Sequence, residues 1–269
     1  MRRNIFLHEF RWRLPSALIW GFSTAAVILI YLIMFPLFAD QAEVVHRAFQ
    51  QFPREFRAAF GIGDVDFSTV MGFFTFVYLF VQLLLALQAS NYGFGMLSVE
   101  EREWTADFLM SKPVARGEIF FSKLAAALCD LAFTQAIVWA TAFGAIEAFR
   151  AGRPYDARLL TYLLLGLPPF QLVFFSLGIL ISLLVRRIRN VTPYGLGLGF
   201  GMYLLGAFSD LLGEAWLEYL TPFKHFNSQY ALTHGHFDGR LLSLSLVIST
   251  LALIFSYLRY LRRDIPSAT

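Results

Sequence analysis

The sequence contains a single cysteine, Cys129, so no disulfide can form within the chain. Charge is also scarce, because 15% of the residues are charged whereas 57% are hydrophobic. This composition excludes an ordinary soluble domain and is typical of a chain that crosses a membrane several times. We expect Cys129 to be a small apolar side chain inside one of the spans.

Motifs that carry catalysis are missing as well. The chain has no G-x-x-x-x-G-K-[ST] loop for nucleotide phosphates, no H-E-x-x-H zinc motif and no G-x-S-x-G nucleophile turn. No long apolar stretch contains a histidine that could act as a base for a buried serine. We therefore predict that the protein is not an enzyme and binds no cofactor or metal of its own.

Long apolar stretches with little or no charge occur six times. A membrane-spanning helix needs about 20 such residues to cross about 30 Å of hydrocarbon. We predict an all-α membrane protein in which residues 1–269 form a single transmembrane domain. The predicted spans are residues 15–38, 68–96, 117–146, 159–185, 192–210 and 241–260.

The distribution of basic residues predicts the orientation of these spans. Six spans place both termini on one side, and 14 of the 22 basic residues lie on that same side. Because basic residues accumulate in cytoplasmic connections, we predict that both termini are cytoplasmic. The protein is then a multi-pass protein of a prokaryotic plasma or inner membrane. The net charge of +3 reflects this topology, and no nucleic-acid partner is expected.

Helical periodicity extends beyond the spans. Residues 4–13 alternate apolar and basic positions, which predicts an interfacial helix on membrane lipid before Pro15 opens the first span. A set of apolar residues at helical spacing predicts short outside helices before the second span, interrupted at Pro53. Its apolar side comprises Val45, Phe49, Phe52, Phe56 and Phe60. This stripe could lie on the outer leaflet or contact a lipid-like substrate, but we expect it to pack on the bundle. A further short helix is predicted over residues 213–220, before the sixth span.

The most highly charged stretch between spans runs over residues 98–123. As a helix it would be amphipathic. Its apolar side comprises Leu97, Trp104 and Phe108. Its acidic side comprises Glu100, Glu103 and Asp107. Pro113 ends this helix, since proline cannot continue it. On the residues alone, both a docking element for a soluble partner and an ordinary solvated loop fit this pattern.

The segment E-R-E-W-T-A-D-F-L-M-S-K-P-V-A-R at residues 101–116, followed by Ile119 and Lys123, resembles the cytosolic segment between the second and third spans of ABC-2 type transporter permeases. Ala115 stands where those permeases usually have serine. Residues 52–73 resemble the outside helix before their second span. Thr221, Pro222 and Phe223 resemble the proline-phenylalanine element that follows their fifth span.

This resemblance implies an amphipathic cytosolic coupling helix that docks a separate ABC ATPase subunit, which would bind ATP and Mg²⁺. It also implies a second copy of the permease, or a related permease, as a partner. The coupling residues would be Glu100, Glu101, Arg102, Trp104, Asp107, Phe108, Lys112, Pro113 and Arg116. Pro222 and Phe223 would form an outside gate. The predicted helix over residues 4–13 would lie beside the ATPase.

Three polar residues within the spans are candidates for a translocation pathway: Gln82, Asp130 and Gln135. Amides inside a membrane usually hydrogen-bond to neighbouring helices, so structural roles are the alternative. A carboxylate at mid-bilayer costs about 2.5 to 3.5 kcal/mol on insertion scales. Asp130 should therefore face the bundle interior or water.

The leading function is the permease subunit of an ATP-driven exporter. A six-helix membrane scaffold or assembly protein without transport activity would share this topology and would need no ATPase. A secondary transporter would be expected to show an inverted internal repeat and more charge in its core, and neither is evident in the sequence.

Overall fold

The computed structural model describes residues 2–62, 65–102, 114–185 and 188–262, and this part of the chain forms α-helices with no β-strand. Six helices are long and apolar enough to cross a membrane, as predicted. In chain order the helices are α1 (Arg3–Asp40), α2 (Ala42–Gln50), α3 (Arg54–Ala59), α4 (Val70–Arg102), α5 (Arg116–Phe149), α6 (Ala157–Leu184), α7 (Val191–Leu212), α8 (Ala215–Glu218), α9 (Pro222–His225), α10 (Ser228–His234) and α11 (Gly239–Arg262).

Helices α4 and α6 form the centre of the bundle. Within their most apolar windows, 72% of α4 and 61% of α6 is buried, against 22% of α7 and of α11. Helix α4 packs against α1, α6 and α7, and α6 also packs against α11. Helices α4 and α6 are therefore the elements around which the other long helices are arranged.

Glycines allow α4 and α6 to approach each other closely. A Cβ atom on Gly93 would lie 2.3 Å from the carbonyl oxygen of Phe175, and one on Gly178 would lie 2.9 Å from that of Ser90. Both distances are too short for any side chain. Small residues at such crossings bring helix backbones into van der Waals contact.

The N-terminal residues do not form the separate interfacial helix that the sequence predicted. They are the first turns of α1, which is continuous from Arg3 to Asp40 and contains Pro15 in its interior. Pro15 lacks one backbone donor, but the extensive contact between α1 and α5 holds the helix together. At about 1.5 Å per residue, its 38 residues extend about 57 Å, so α1 is longer than the hydrocarbon core is thick.

One end of the bundle gathers both ends of the described chain, and we call it the Lys123 end. The Arg2 amide donates to Ser122 Oγ at 2.8 Å, and the Arg2 side chain is ion-paired with Glu118 at 3.2 Å. Arg116 Nη1 lies 3.5 Å from the carbonyl oxygen of Tyr260, near the end of α11. The start of α1, the start of α5 and the end of α11 therefore lie together.

The opposite end, which we call the Phe223 end, carries α2, α3 and α8–α10. Pro53 separates α2 from α3, as the sequence predicted. Phenylalanine rings continue across this break, with centroids 4.7 Å apart for Phe52 and Phe56 and 4.6 Å apart for Phe56 and Phe60. Phe49 stacks on Phe67 at 5.2 Å, and Val45 and Phe60 also pack against the core. Phe52 and Phe56 are exposed, so only part of the stripe packs onto the bundle, whereas we expected the whole stripe to do so.

Helix boundaries at the connections follow from local sequence. Asp156, Asn190 and Asn227 each precede a helix, and their side chains accept hydrogen bonds from its first backbone amides. Gly213 and Gly235 end α7 and α10 in the left-handed conformation, with φ of 69° and 76°. Asp156, Gly213, Asn227 and Gly235 lie at the Phe223 end, whereas Asn190 caps the start of α7 at the opposite end.

Candidate functional site

The predicted coupling segment connects α4 to α5 in the chain, and the ends of both helices that flank it lie at the Lys123 end. Helix α4 continues beyond the predicted span as far as Arg102, so the backbone of Glu100 and Glu101 is helical. Arg116 is the first residue of α5. The remaining predicted coupling residues lie outside the described residues: Trp104, Asp107, Phe108, Lys112 and Pro113.

Four charged side chains are buried inside the bundle toward the Lys123 end. We call Glu9, Arg13, Lys123 and Asp130 the buried charge cluster, and each is at least nine-tenths buried. The two acids and two bases come from α1 and α5, the pair of helices with the most extensive contact. Charges withdrawn from water are tolerated only when opposite charges or hydrogen bonds compensate them.

Lys123 connects three helices within this cluster. Its Nζ atom lies 3.1 Å from Glu9 Oε1 on α1, and it donates to the Met96 carbonyl oxygen on α4 at 3.1 Å. The Arg13 guanidinium also donates to Glu9, one helical turn away on α1. Glu9 therefore accepts from two cations, and Lys123 links the starts of α1 and α5 to the last turns of α4.

Asp130 completes the cluster two turns along α5 from Lys123. Its side chain is fully buried, as predicted, and the charged groups facing it are Arg13 and Glu9. Within the described part of the chain, neither carboxylate oxygen accepts a hydrogen bond. Native structures usually satisfy such oxygens with protein donors or ordered water. Asp130 is thus the least compensated member of the cluster.

Gln135, a predicted pathway residue, belongs to a chain of hydrogen bonds across four helices. Its Nε2 donates to Gln171 Oε1 at 2.7 Å, and Gln171 donates to Gln88 Oε1 at 3.2 Å. Gln88 donates to Thr134 Oγ1 at 2.7 Å, and Thr134 lies 3.3 Å from the Ala17 carbonyl oxygen. These bonds favour a structural role, although Gln135 also lines an otherwise mostly apolar cavity of about 560 Å³ between α5 and α6.

Gln82, another predicted pathway residue, lies instead at the Phe223 end. It lines a cavity of about 480 Å³ between α4 and α7, and so does Phe223. Gln82 Nε2 also donates to the Phe226 carbonyl oxygen at 3.0 Å, which ties the end of α9 to α4. The structure therefore brings Gln82 and Phe223 together but separates them from Asp130 and Gln135.

Phe223 and Pro222, the predicted gate residues, are both buried at the start of α9. The Phe223 ring packs against Phe170 and Phe174 of α6, with centroid distances of 5.2 and 5.7 Å, and lies 5.7 Å from Tyr203 of α7. This aromatic cluster closes the bundle between α6 and α7 at the Phe223 end.

His225 joins α9 to the last long helix. Its Nδ1 atom lies 2.6 Å from Ser245 Oγ on α11, and the ring is buried. Burial lowers the pKa of His225 below its ordinary value, because the imidazolium form would lose its hydration. Burial therefore favours the neutral imidazole ring of His225.

The sequence did not reveal that Glu9, Arg13 and Lys123 are buried. In the sequence, Arg13 and Lys123 stand at the edges of apolar stretches, which is the pattern of basic residues at a membrane border. One signal was present, since Glu9 and Arg13 are four residues apart and Lys123 and Asp130 are seven apart, spacings that place each pair on one helix face. Two such faces with opposite charges at matching positions indicate a buried ion-pair cluster.

These features define a multi-pass α-helical membrane protein with a buried charge cluster toward one end and an aromatic cluster at the other. The chain belongs to the ABC-2 transporter family: residues 3–265 match the family described as ABC-2 family transporter protein. This confirms the resemblance seen in the sequence. Comparison with curated proteins gives no match for this sequence. Members of the family are membrane subunits, generally non-catalytic, that typically work with an ATPase subunit.

Proposed function

We propose that this chain is the permease of an ATP-driven ABC exporter and forms its translocation pathway. A separate cytosolic ATPase subunit binds ATP and Mg²⁺ and docks on the segment of residues 98–116. The permease acts with a second copy of itself or with a related permease. Membership in the ABC-2 family supports this proposal, because such permeases typically work with an ATPase subunit.

The observation that carries the coupling part of the proposal is the position of Lys123. The charged segment lies between Met96 on α4 and Lys123 on α5, and the Lys123 ammonium binds the Met96 carbonyl oxygen at 3.1 Å. The same ammonium binds Glu9 on α1 at 3.1 Å. A force applied to the segment would therefore move the ends of α1, α4 and α5 as one unit.

Coupled motion of this unit would reach the Phe223 end through α4. The glycine crossing at Gly93 and Gly178 makes α4 and α6 rigid neighbours, because no side chain separates their backbones. Near the middle of α4, Gln82 is bonded to the Phe226 carbonyl oxygen, next to the aromatic cluster around Phe223. Displacement of α4 would then loosen that cluster, which is the role we propose for the outside gate.

The Lys123 end faces the cytoplasm in this proposal, and the Phe223 end faces the outside of a prokaryotic cell membrane. The excess of basic residues near the termini and the charged segment supports this orientation. Helices α7 and α11 leave most of their apolar surface uncovered by the described chain. Lipid and a second permease subunit would cover these faces.

The proposal is tested by expressing the permease with a candidate ATPase, purifying the complex and measuring ATP-coupled export. We expect Glu101→Arg combined with Trp104→Ala to abolish co-purification and export, because it reverses the charge of Glu101 and removes the largest apolar side chain of the segment. The matched control is Glu43→Arg combined with Trp216→Ala. Both control residues are exposed at the Phe223 end, so this variant should retain the complex.

If the double variant at positions 101 and 104 retains both the complex and export, the docking role of the segment is wrong. If the wild-type protein never recruits an ATPase and exports nothing, the six-helix scaffold is the correct function.

A further inference from the structure

The side chains that line the cavity between α4 and α7 at the Phe223 end favour one class of ligand. Much of its lining consists of aromatic and aliphatic side chains, including Phe60, Phe76 and Leu79. The lining also contains the ionisable groups of Arg57, Lys224 and Asp210. Its volume of about 480 Å³ lies within the range of about 300 to 1,000 Å³ that is usual for small-molecule sites.

The charges in this cavity are not balanced. Lys224 and Asp210 form an ion pair with each other, so their charges cancel. Arg57 forms no ion pair within the part of the chain that the structure describes, and its Nε atom is buried without a hydrogen-bond partner there. Among the described residues, the lining therefore has one positive charge without an acidic partner, together with a guanidinium donor that needs an acceptor.

We propose that this cavity binds an amphipathic anion, with its phosphate, sulfate or carboxylate group at Arg57 and its apolar part against the aromatic wall. Guanidinium groups bind such oxyanions through charge-assisted hydrogen bonds, which are among the strongest in proteins. The inference rests on the proposed function in one respect: it makes amphipathic anions the substrate class of the exporter. Binding itself needs no ATPase.

The experiment measures binding of hexyl phosphate by calorimetry to the purified full-length permease, without its ATPase, in nanodiscs of zwitterionic lipid. Hexyl phosphate should bind, inorganic phosphate should bind more weakly, and hexyltrimethylammonium should not bind. Arg57→Gln should weaken hexyl phosphate binding by about tenfold or more. The control is Arg47→Gln, because Arg47 is exposed on α2 and is already paired with Glu43. This variant should bind as the wild type does.

Asp210→Asn distinguishes a charge effect on binding from a loss of structure, because damage to the fold would weaken binding and could not strengthen it. This change leaves the Lys224 ammonium without its acidic partner, so the cavity gains a net positive charge. Hexyl phosphate should then bind more tightly than to the wild type, opposite in direction to the effect of Arg57→Gln. Equal binding of the cationic probe, or the same loss of affinity in both variants, would overturn the inference.

Two sources of the anion are separated by changing the lipid. If the cavity normally holds an anionic phospholipid head group, nanodiscs containing phosphatidylglycerol should compete with hexyl phosphate. If it holds exported cargo, binding should be the same in both lipids, and hexyl phosphate should stimulate ATP hydrolysis of the assembled complex. Loss of ATPase recruitment with intact hexyl phosphate binding would contradict the exporter proposal and leave the anion site standing.

Discussion

Removal of the Lys123 charge should destabilise the protein strongly. In Lys123→Met the side chain keeps a similar length but loses its ammonium group, so Glu9 Oε1 and the Met96 carbonyl oxygen each lose a donor at 3.1 Å. The cluster of two acids and two bases then has one excess negative charge in a buried environment. Removing one partner of a buried ion pair costs about 3 to 5 kcal/mol.

For a chain of this size, about 1 kcal/mol corresponds to a shift of about 2 to 4 °C in the melting temperature, so we expect a fall of about 6 to 20 °C. Intrinsic fluorescence during heating of the purified protein measures it. Adding Glu9→Gln restores charge balance and should recover part of the loss, which makes the two effects non-additive.

Arg47→Met is the control for this experiment. Arg47 and Glu43 are four residues apart on α2 and form an ion pair at 3.0 Å, but both side chains are mostly exposed. Exposed pairs contribute little, so the melting temperature should change by less than about 2 °C. If the Lys123→Met protein has the same melting temperature as the wild type, the argument that the cluster holds α1, α4 and α5 together is refuted.

Two further predictions concern Asp130 and His225. Asp130→Asn should fold with a melting temperature within about 3 °C of the wild type, because the carboxylate accepts no hydrogen bond from the described chain. ATP-coupled export by this variant should fall if Asp130 lines the pathway. Unchanged export with an unchanged pH profile would remove the pathway role. Because burial lowers the pKa of His225 from an unfolded value near 6.5, the unfolded chain takes up a proton that the folded one does not as the pH falls below about 6.5. Thermal stability should therefore decrease as the pH falls from 7.5 to 5, with a shallower decrease in His225→Asn, and equal slopes in the two proteins would contradict this assignment.

The sequence predicted the elements that depend on local composition. Six charge-poor stretches predicted six long helices, and the phenylalanine spacing between Val45 and Phe60 predicted the short helices on either side of Pro53. Burial of Asp130 was also predictable, because a charge in the middle of an apolar stretch must turn away from lipid.

Features that depend on contacts between distant residues were not predictable in the same way. Lys123 near the edge of an apolar stretch has the pattern of a border anchor, and its partner Glu9 is more than one hundred residues away in the chain. Pro15 has the pattern of a helix start, but tertiary contact with α5 keeps α1 continuous through it. The cavity beside Arg57 combines residues from α4, α7, α9 and the short connections, so only the fold reveals it.

The docking of an ATPase on the charged segment is tested most directly by site-specific photo-crosslinking in cells that express the permease with its candidate ATPase. A photoreactive phenylalanine analogue placed at Trp104 should give a covalent product with the ATPase, whereas the same analogue at Trp216, at the opposite end of the bundle, should give none. A product formed from position 216, or none from position 104 in cells that export, would contradict the proposal that this end of the protein engages the ATPase.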